Sequence, residues 1–192
     1  MGDSHLDSFT YFCAAICRIP GATSYGLTKQ NSITKAREAF QSFLSVFPHY
    51  VPILCVGEVD CNSLPWRIEN FKSPKEVIHH SINNLFTFIQ ETNRKFILPS
   101  VTLPTVDSFK ELKFRSFVTA NKEERTTLVK FYNTLLHKKA LEHGHVFLDI
   151  TTPSTGPDGL VNSAYIRTDT DVHLVPHKLR PIIADLLDKV FL

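Results

Sequence analysis

The sequence predicts an α/β protein whose parallel β-sheet is covered by helices on both faces. Short apolar, β-branched runs alternate with longer stretches in which apolar residues recur at helical spacing. Polar segments containing glycine and proline separate these elements. Strands that alternate with helices form parallel sheets, and both faces of such a sheet need cover. With 192 residues, 43% of them hydrophobic, we expect one domain spanning residues 1–192.

Three apolar runs are expected to be the buried strands of this sheet. They read "VPILCVG", "KFILPSV" and "HVFLDI", and they cover residues 51–57, 95–101 and 145–150. Their length and their bounding glycine, proline and polar residues are typical of fully buried strands.

Helices are expected before, between and after these strands. Ser32 and Ser73 are the expected N-caps of two of them, and Pro74 suits a first helical position. The predicted helical segments cover residues 6–17, 32–47, 73–93, 123–144 and 177–192.

The composition excludes several classes of function. A net charge of +2 is too small to indicate nucleic-acid binding by charge alone, and no apolar run is long enough to span a membrane. The four cysteines lack the paired short spacings of a zinc site, so we expect free thiols, no metal and a reducing, cytoplasmic compartment. They are Cys13, Cys17, Cys55 and Cys61.

Ligand-binding residues are expected just after each strand, because open α/β sheets bind ligands at the carboxyl ends of their strands. The segments in question are 57–62 ("GEVDCN"), 99–104 ("PSVTLP") and 150–159 ("ITTPSTGPDG"), together with 168–176 ("TDTDVHLVP") before the last helix. A functional site is therefore expected where these segments meet.

Ser4, Asp171 and His173 are the residue types of a nucleophile, an orienting acid and a general base. A serine hydroxyl attacks an acyl carbon well only when a neighbouring imidazole takes its proton, and a carboxylate on the other ring nitrogen fixes the tautomer. Spacing alone does not connect residues so far apart. It also leaves open that Asp3 or Ser4 is simply a helix N-cap and that His173 is a structural loop histidine.

Three short blocks occur in an order that resembles the SGNH (GDSL-type) hydrolases. They are "GDSH" at residues 2–5, "GEVDC" at 57–61 and "DVHL" at 171–174. The resemblance implies a three-layer α/β/α flavodoxin-like sandwich that hydrolyses or transfers ester-linked acyl groups without a metal or organic cofactor. A carbohydrate O-acyl ester is the slightly favoured substrate on this basis.

The same resemblance assigns roles to individual residues. It makes Ser4 the nucleophile and His173 the base, and it places oxyanion donors at the Ser4 N–H and at a glycine N–H. That glycine is expected to be Gly26, with Gly21 as the alternative. The orienting acid is expected to be Asp171, although Asp169 or a dyad without an acid remains open.

The third block departs from the family pattern. The family has Gly-x-Asn-Asp, whereas this chain has Val59 in the place of the asparagine that donates to the oxyanion. Asn62, or a protonated carboxyl such as Glu58 or Asp60, is expected to substitute. The two carboxylates have a structural interpretation as well, as a solvated pair or as ligands of a neighbouring helix N-terminus.

A second departure concerns the start of the domain. The family carries an apolar strand immediately before Gly-Asp-Ser, so we expect that the first strand is missing or truncated here. The two departures together leave an alternative function, a non-catalytic scaffold of this fold that binds a glycan or a protein partner.

Overall fold

The computed structural model describes residues 1–109, 115–168 and 170–191. At its centre, strand β1 (Ile97–Pro99) pairs in parallel with strand β2 (Val146–Leu148). Single parallel bridges extend this pair on the β1 side, from Ile97 to Ile53, from Cys55 to Gly2 and from Gly2 to Arg18. The sheet therefore has five parallel positions, of which two are regular strands.

Residues 1–3 occupy an interior position of the sheet, between Arg18 and Cys55, without forming a regular strand. The Gly2 N–H donates to the Cys17 carbonyl at 3.1 Å, and the Gly2 carbonyl accepts from Ile19 at 2.9 Å. On the other side the Asp3 N–H donates to the Cys55 carbonyl at 3.0 Å. A Cβ atom on Gly2 would collide with the Cys55 carbonyl oxygen, so glycine is required at this close approach.

Helices pack around the sheet, and their capping residues explain where they begin. Ser73 accepts a hydrogen bond from the Glu76 N–H, as predicted for the cap of the third helix. Asn121 and Glu124 form a reciprocal capping box at the start of the fourth. The helices are α1 (Ala36–Val46), α2 (Glu58–Asn62), α3 (Pro74–Thr92), α4 (Lys122–Glu142) and α5 (Pro176–Phe191).

Two sequence expectations about helices need correction. Helix α1 begins four residues after Ser32, because the chain first makes a turn in which the Lys35 N–H donates to the Ser32 carbonyl. The segment after Gly2 forms a 3₁₀ helix, Ser4–Phe12, that buries Leu6 and Phe9. Ile16 lies within the predicted helical segment 6–17, but it is 45% exposed because this helix has already ended.

The layers agree with the predicted α/β/α architecture, and the parallel sheet places its carboxyl ends at one edge. All four cysteines are free thiols. Within the described residues, no helix combines the length and the apolar character needed to cross a membrane.

Candidate active site

A small cavity lies where the strands end, and we call it the strand-end cavity. Its polar lining includes His5, Glu58, Ser100 and His173, and its apolar wall includes Phe9 and Ile150. These residues follow four of the five positions of the sheet or come from the segment before α5. The cavity volume is about 20 Å³, which is room for about one water-sized group.

His173 and Asp171 form the pair that the sequence predicted as base and orienting acid. The His173 Nδ1 lies 2.7 Å from the Asp171 Oδ1, and the His173 backbone N–H donates to the same oxygen at 2.9 Å. The ring therefore presents its Nε2 away from Asp171, as a general base requires. Burial alone would raise the pKa of Asp171, but the hydrogen bonds from His173 and the charge of Arg167 hold it below its ordinary value.

The segment that carries this pair is anchored to the loop after β1. The Thr105 hydroxyl donates to the Asp171 carbonyl at 2.7 Å, and Thr105 itself is buried. A buried hydroxyl holding one carbonyl fixes the backbone at the point where the carboxylate projects.

Ser4 lies at the carboxyl end of the interior sheet position that residues 1–3 occupy, and it begins the first 3₁₀ helix. Asp3 caps this helix by accepting a hydrogen bond from the His5 N–H at 2.8 Å. Asp3, and not Ser4, is therefore the N-cap residue that the sequence left open. In the described part of the chain, the Ser4 N–H donates no hydrogen bond. Asp3 and His5, on either side of Ser4, line the strand-end cavity, whereas Ser4 is not among its lining residues.

The two ends of the chain meet at this cavity through His5. Its ring centroid lies 4.6 Å from that of His173, and its Nε2 lies 3.1 Å from the Val172 carbonyl oxygen. Ser4 is therefore brought into the neighbourhood of His173, although the residues are far apart in sequence.

Glu58 forms a buried ion pair with Arg115 beside the two imidazoles. The guanidinium donates to both carboxylate oxygens, at 2.6 and 2.8 Å. Burial raises the pKa of Glu58, but the hydrogen bonds and charge of Arg115 outweigh it, and the pKa lies below its ordinary value. Glu58 is thus an anion at neutral pH, and it does not supply the protonated carboxyl that the sequence allowed.

Asn62 is the residue expected from the sequence to replace the asparagine that Val59 displaces. It is 3% exposed, and its Oδ1 is buried without a hydrogen-bond partner. It lines a second small cavity that shares His5 and Glu58 with the strand-end cavity. The oxygen that lacks a partner is an acceptor, so it can take a hydrogen bond from a donor group of a ligand.

The structure gives Asp60 and Gly26 a structural role in place of the expected oxyanion role. The two carboxylate oxygens of Asp60 accept the N–H groups of Ser24 and Tyr25, at 2.8 and 2.9 Å. This is the predicted alternative, a carboxylate on the N-terminus of a neighbouring helix, here the 3₁₀ turn Tyr25–Thr28. The Gly26 N–H donates to the carbonyl and hydroxyl of Thr23, at 3.1 and 2.9 Å, so it is not available to an oxyanion.

We expect Asp60→Asn to destabilise the protein by about 1–3 kcal/mol, because one of the two backbone N–H groups would then face an amide donor. Burial raises the pKa of Asp60 to about 6. Protonated Asp60 therefore contributes to the free energy of unfolding at low pH, and this contribution is lost as the pH rises through about 6. In urea unfolding, the difference in free energy between wild type and Asp60→Asn should be larger at pH 5 than at pH 7.

Asp188→Asn is the matched control, since Asp188 is exposed on α5. It should change the free energy of unfolding by less than about 0.5 kcal/mol at either pH. Equal deficits at both pH values for Asp60→Asn would contradict the assigned burial effect.

Sequence reasoning missed His5 and Arg115 as members of the site. His5 was visible as the last residue of the first block, but Arg115 had no local signal because its partner is 57 residues away. Asp169, the alternative orienting acid, lies outside the described residues. Within those residues, no cluster of three or more metal-binding side chains occurs.

Comparison with known proteins gives structural likeness only. No protein-family model and no curated protein matches the chain. A solved structure of a GDSL-like lipase from Bacteroides thetaiotaomicron is similar at a TM-score of 0.65 and 16% identity, covering 99% of this chain and 84% of its own. A solved structure of a protein assigned as an acylhydrolase from Bacteroides fragilis is similar at a TM-score of 0.66 and 16% identity. The match covers 99% of this chain and 83% of that protein.

The aryl esterase of M. smegmatis is similar at a TM-score of 0.55 and 14% identity, covering 91% of this chain and 75% of its own. These likenesses extend over nearly the whole chain. The protein therefore has the fold of the SGNH/GDSL-type hydrolases, which confirms the predicted fold class.

Proposed function

We propose that the protein is a serine ester hydrolase of the SGNH type. The observation that carries this proposal is the hydrogen-bonded His173–Asp171 pair, which meets residues 3–5 at the carboxyl ends of the strands. Nucleophile, base and orienting acid are then supplied by Ser4, His173 and Asp171. The SGNH-type fold supports the same assignment.

In this mechanism the Ser4 hydroxyl attacks the acyl carbon of an ester while His173 Nε2 takes its proton. The imidazolium, stabilised by Asp171, then gives that proton to the departing alcohol. Water then attacks the acyl-enzyme and gives a proton to His173. The imidazolium passes that proton to the Ser4 Oγ as the bond between Oγ and the acyl carbon breaks, which releases the carboxylic acid and restores the Ser4 hydroxyl and the neutral base.

Two groups are proposed to stabilise the oxyanion in place of Gly26. One is the Ser4 N–H, which has no partner within the described residues and lies at the start of a helix, where the dipole favours negative charge. The other is the side-chain amide of Asn62. Loss of one such donor usually costs a factor of about 10² to 10³ in rate, so Asn62→Ala should lower kcat by about that factor.

Labelling with a fluorophosphonate probe tests the proposal directly. Such probes phosphonylate serines that have an active base, so we expect stoichiometric labelling that Ser4→Ala abolishes. Ser8→Ala is the matched control, because Ser8 lies one helical turn later and lines the strand-end cavity. A folded protein that is not labelled at Ser4, or that is labelled at Ser8, would refute the assignment.

We expect the enzyme to prefer short acyl groups, because the strand-end cavity has room for about one small group. With p-nitrophenyl esters, kcat/KM should fall by about tenfold or more from acetate to octanoate. Ile150→Val should raise the ratio of kcat/KM for butyrate to kcat/KM for acetate by a few fold. Ile183→Val should leave this ratio unchanged, because Ile183 is buried on α5 and does not line the cavity. A flat profile would show that the acyl chain lies elsewhere.

The proposed substrate is a small-molecule or carbohydrate ester, with the carbohydrate part resting on the family resemblance. The alternative is a non-catalytic scaffold that binds a glycan or a protein partner. Val59 in the third block and the engaged Gly26 N–H favour it. The two functions separate in the labelling experiment, since a scaffold without an active base would not react.

A further inference from the structure

His5 is almost completely enclosed between the start and the end of the chain. Its side chain is 10% exposed. The ring lies against the ring of His173 at 4.6 Å with an interplanar angle of 30°. The catalytic assignment above does not use this residue, although it follows Ser4 in the chain and its ring contacts that of the proposed base.

The hydrogen bonds of His5 define its tautomer and its orientation. A carbonyl oxygen only accepts, so Nε2 must carry the proton that it shares with Val172 over 3.1 Å. Val172 lies between Asp171 and His173, and this bond therefore holds the backbone that carries both. The other nitrogen, Nδ1, is buried without a hydrogen bond but lies 3.5 Å from the Asp3 Oδ1.

Several charged groups face His5 from the surrounding elements. Asp3 and Glu58 supply two buried carboxylates, and Asp3 keeps one oxygen, Oδ2, without a hydrogen-bond partner. Arg115 neutralises much of Glu58, and Asp171 lies behind His173. Arg125 faces His5 across the second small cavity.

The balance of these groups favours an imidazolium. Burial lowers the pKa of His5, but Asp3, whose Oδ1 lies 3.5 Å from Nδ1, and the charge of Glu58 raise it to about 9. A protonated ring also explains why Nδ1 is turned toward a carboxylate. His5 is therefore a buried cation in contact with the proposed general base at neutral pH.

Asp3 holds the His5 ring on one side, and the ring donates to the Val172 carbonyl on the other. Val172 is flanked by the two residues that the hydrolase proposal uses as orienting acid and base. We propose that His5 is a positioning residue, which fixes the Asp171–His173 segment through Val172. The inference rests on the proposed hydrolase function.

Two substitutions test the hydrogen bond from His5 to Val172. His5→Gln places an amide N–H near the position of Nε2, whereas His5→Phe keeps the ring contact and removes the donor. We expect the rate of fluorophosphonate labelling to fall by about 10- to 100-fold in His5→Phe and to stay within a few fold of wild type in His5→Gln.

His49→Gln is the control, since His49 is exposed on the loop after α1 and lines neither small cavity, and it should reproduce the wild-type rate. Thermal melts identify any variant that is not folded. An unchanged labelling rate in folded His5→Phe, or an equal loss in folded His5→Gln, would overturn the inference.

A second measurement keeps the inference testable if the hydrolase proposal fails. Hydrogen exchange of the His173 backbone amide, which is bonded to the Asp171 carboxylate, does not need a competent nucleophile. Its protection should fall by about tenfold or more in His5→Phe and be retained in His5→Gln, and unchanged protection in His5→Phe would refute the inference. Absence of Ser4-dependent labelling with reduced protection in His5→Phe would refute the hydrolase proposal alone.

Discussion

Replacing His173 with glutamine is expected to lower kcat by about four to six orders of magnitude. The variant keeps a side chain of similar size but no group that can take the Ser4 proton and return it to the leaving alcohol. Hydrolysis of p-nitrophenyl acetate measures the loss, and the rate of fluorophosphonate labelling should fall with it. KM should change little, because the imidazole acts in the transition state rather than in substrate binding.

Asp171→Asn should lower kcat by about 10⁴, since an amide at this position favours the wrong tautomer of His173. His177→Gln is the matched control. His177 is exposed on α5 only four residues from the base, so its variant should stay within about twofold of wild type. More than a tenth of wild-type activity in His173→Gln would exclude it as the general base.

Breaking the buried Glu58–Arg115 pair is expected to have the largest effect on stability. Arg115→Ala leaves Glu58 as an uncompensated charge that is 5% exposed, which usually costs about 3–5 kcal/mol. Arg115 holds the pKa of Glu58 in the folded protein below its ordinary value of 4.5. The pair therefore stabilises the fold fully above pH 4.5, and this stabilisation is lost as the pH falls through the pKa that Glu58 has in the folded protein. In urea unfolding, Arg115→Ala should lose less free energy of unfolding at pH 4 than at pH 7.

Two further variants show whether the charge is the cause. Replacing both partners, with Glu58→Leu and Arg115→Met, should recover much of the stability, because no buried charge then lacks a partner. Lys189→Ala removes one partner of an exposed ion pair on α5 and should cost less than about 1 kcal/mol. If Arg115→Ala and Lys189→Ala cost the same, the buried pair does not stabilise the fold in the way described.

Local signals predicted the elements that surround the site. Ser73 and Pro74 mark the start of α3, and the apolar runs around Ile97 and Val146 contain β1 and β2. The start of α1 could not be read from Ser32, because a turn with Lys35 in the left-handed region intervenes. Such a choice depends on how the turn packs, and periodicity alone does not specify it.

The site itself was only partly predictable. His173 and Asp171 are two residues apart, so their pairing could be anticipated, whereas the Arg115 partner of Glu58 requires the folded chain. The engagement of Gly26 could have been predicted locally. Thr23 lies three residues earlier, and a threonine hydroxyl at that spacing commonly accepts a hydrogen bond from the backbone N–H. Sequence reasoning named the right strand ends but could not tell which polar groups were already engaged there.

The contact between His5 and Val172 joins residues that are 167 positions apart. A nascent chain on the ribosome therefore carries Ser4 long before it carries His173, and the whole segment between them must emerge before the two can meet. Detachment of α5 from the folded protein would likewise inactivate the proposed site, while much of the remaining structure would stay folded. Proteolysis or mild denaturant that loosens this last helix should extinguish catalysis before the sheet unfolds.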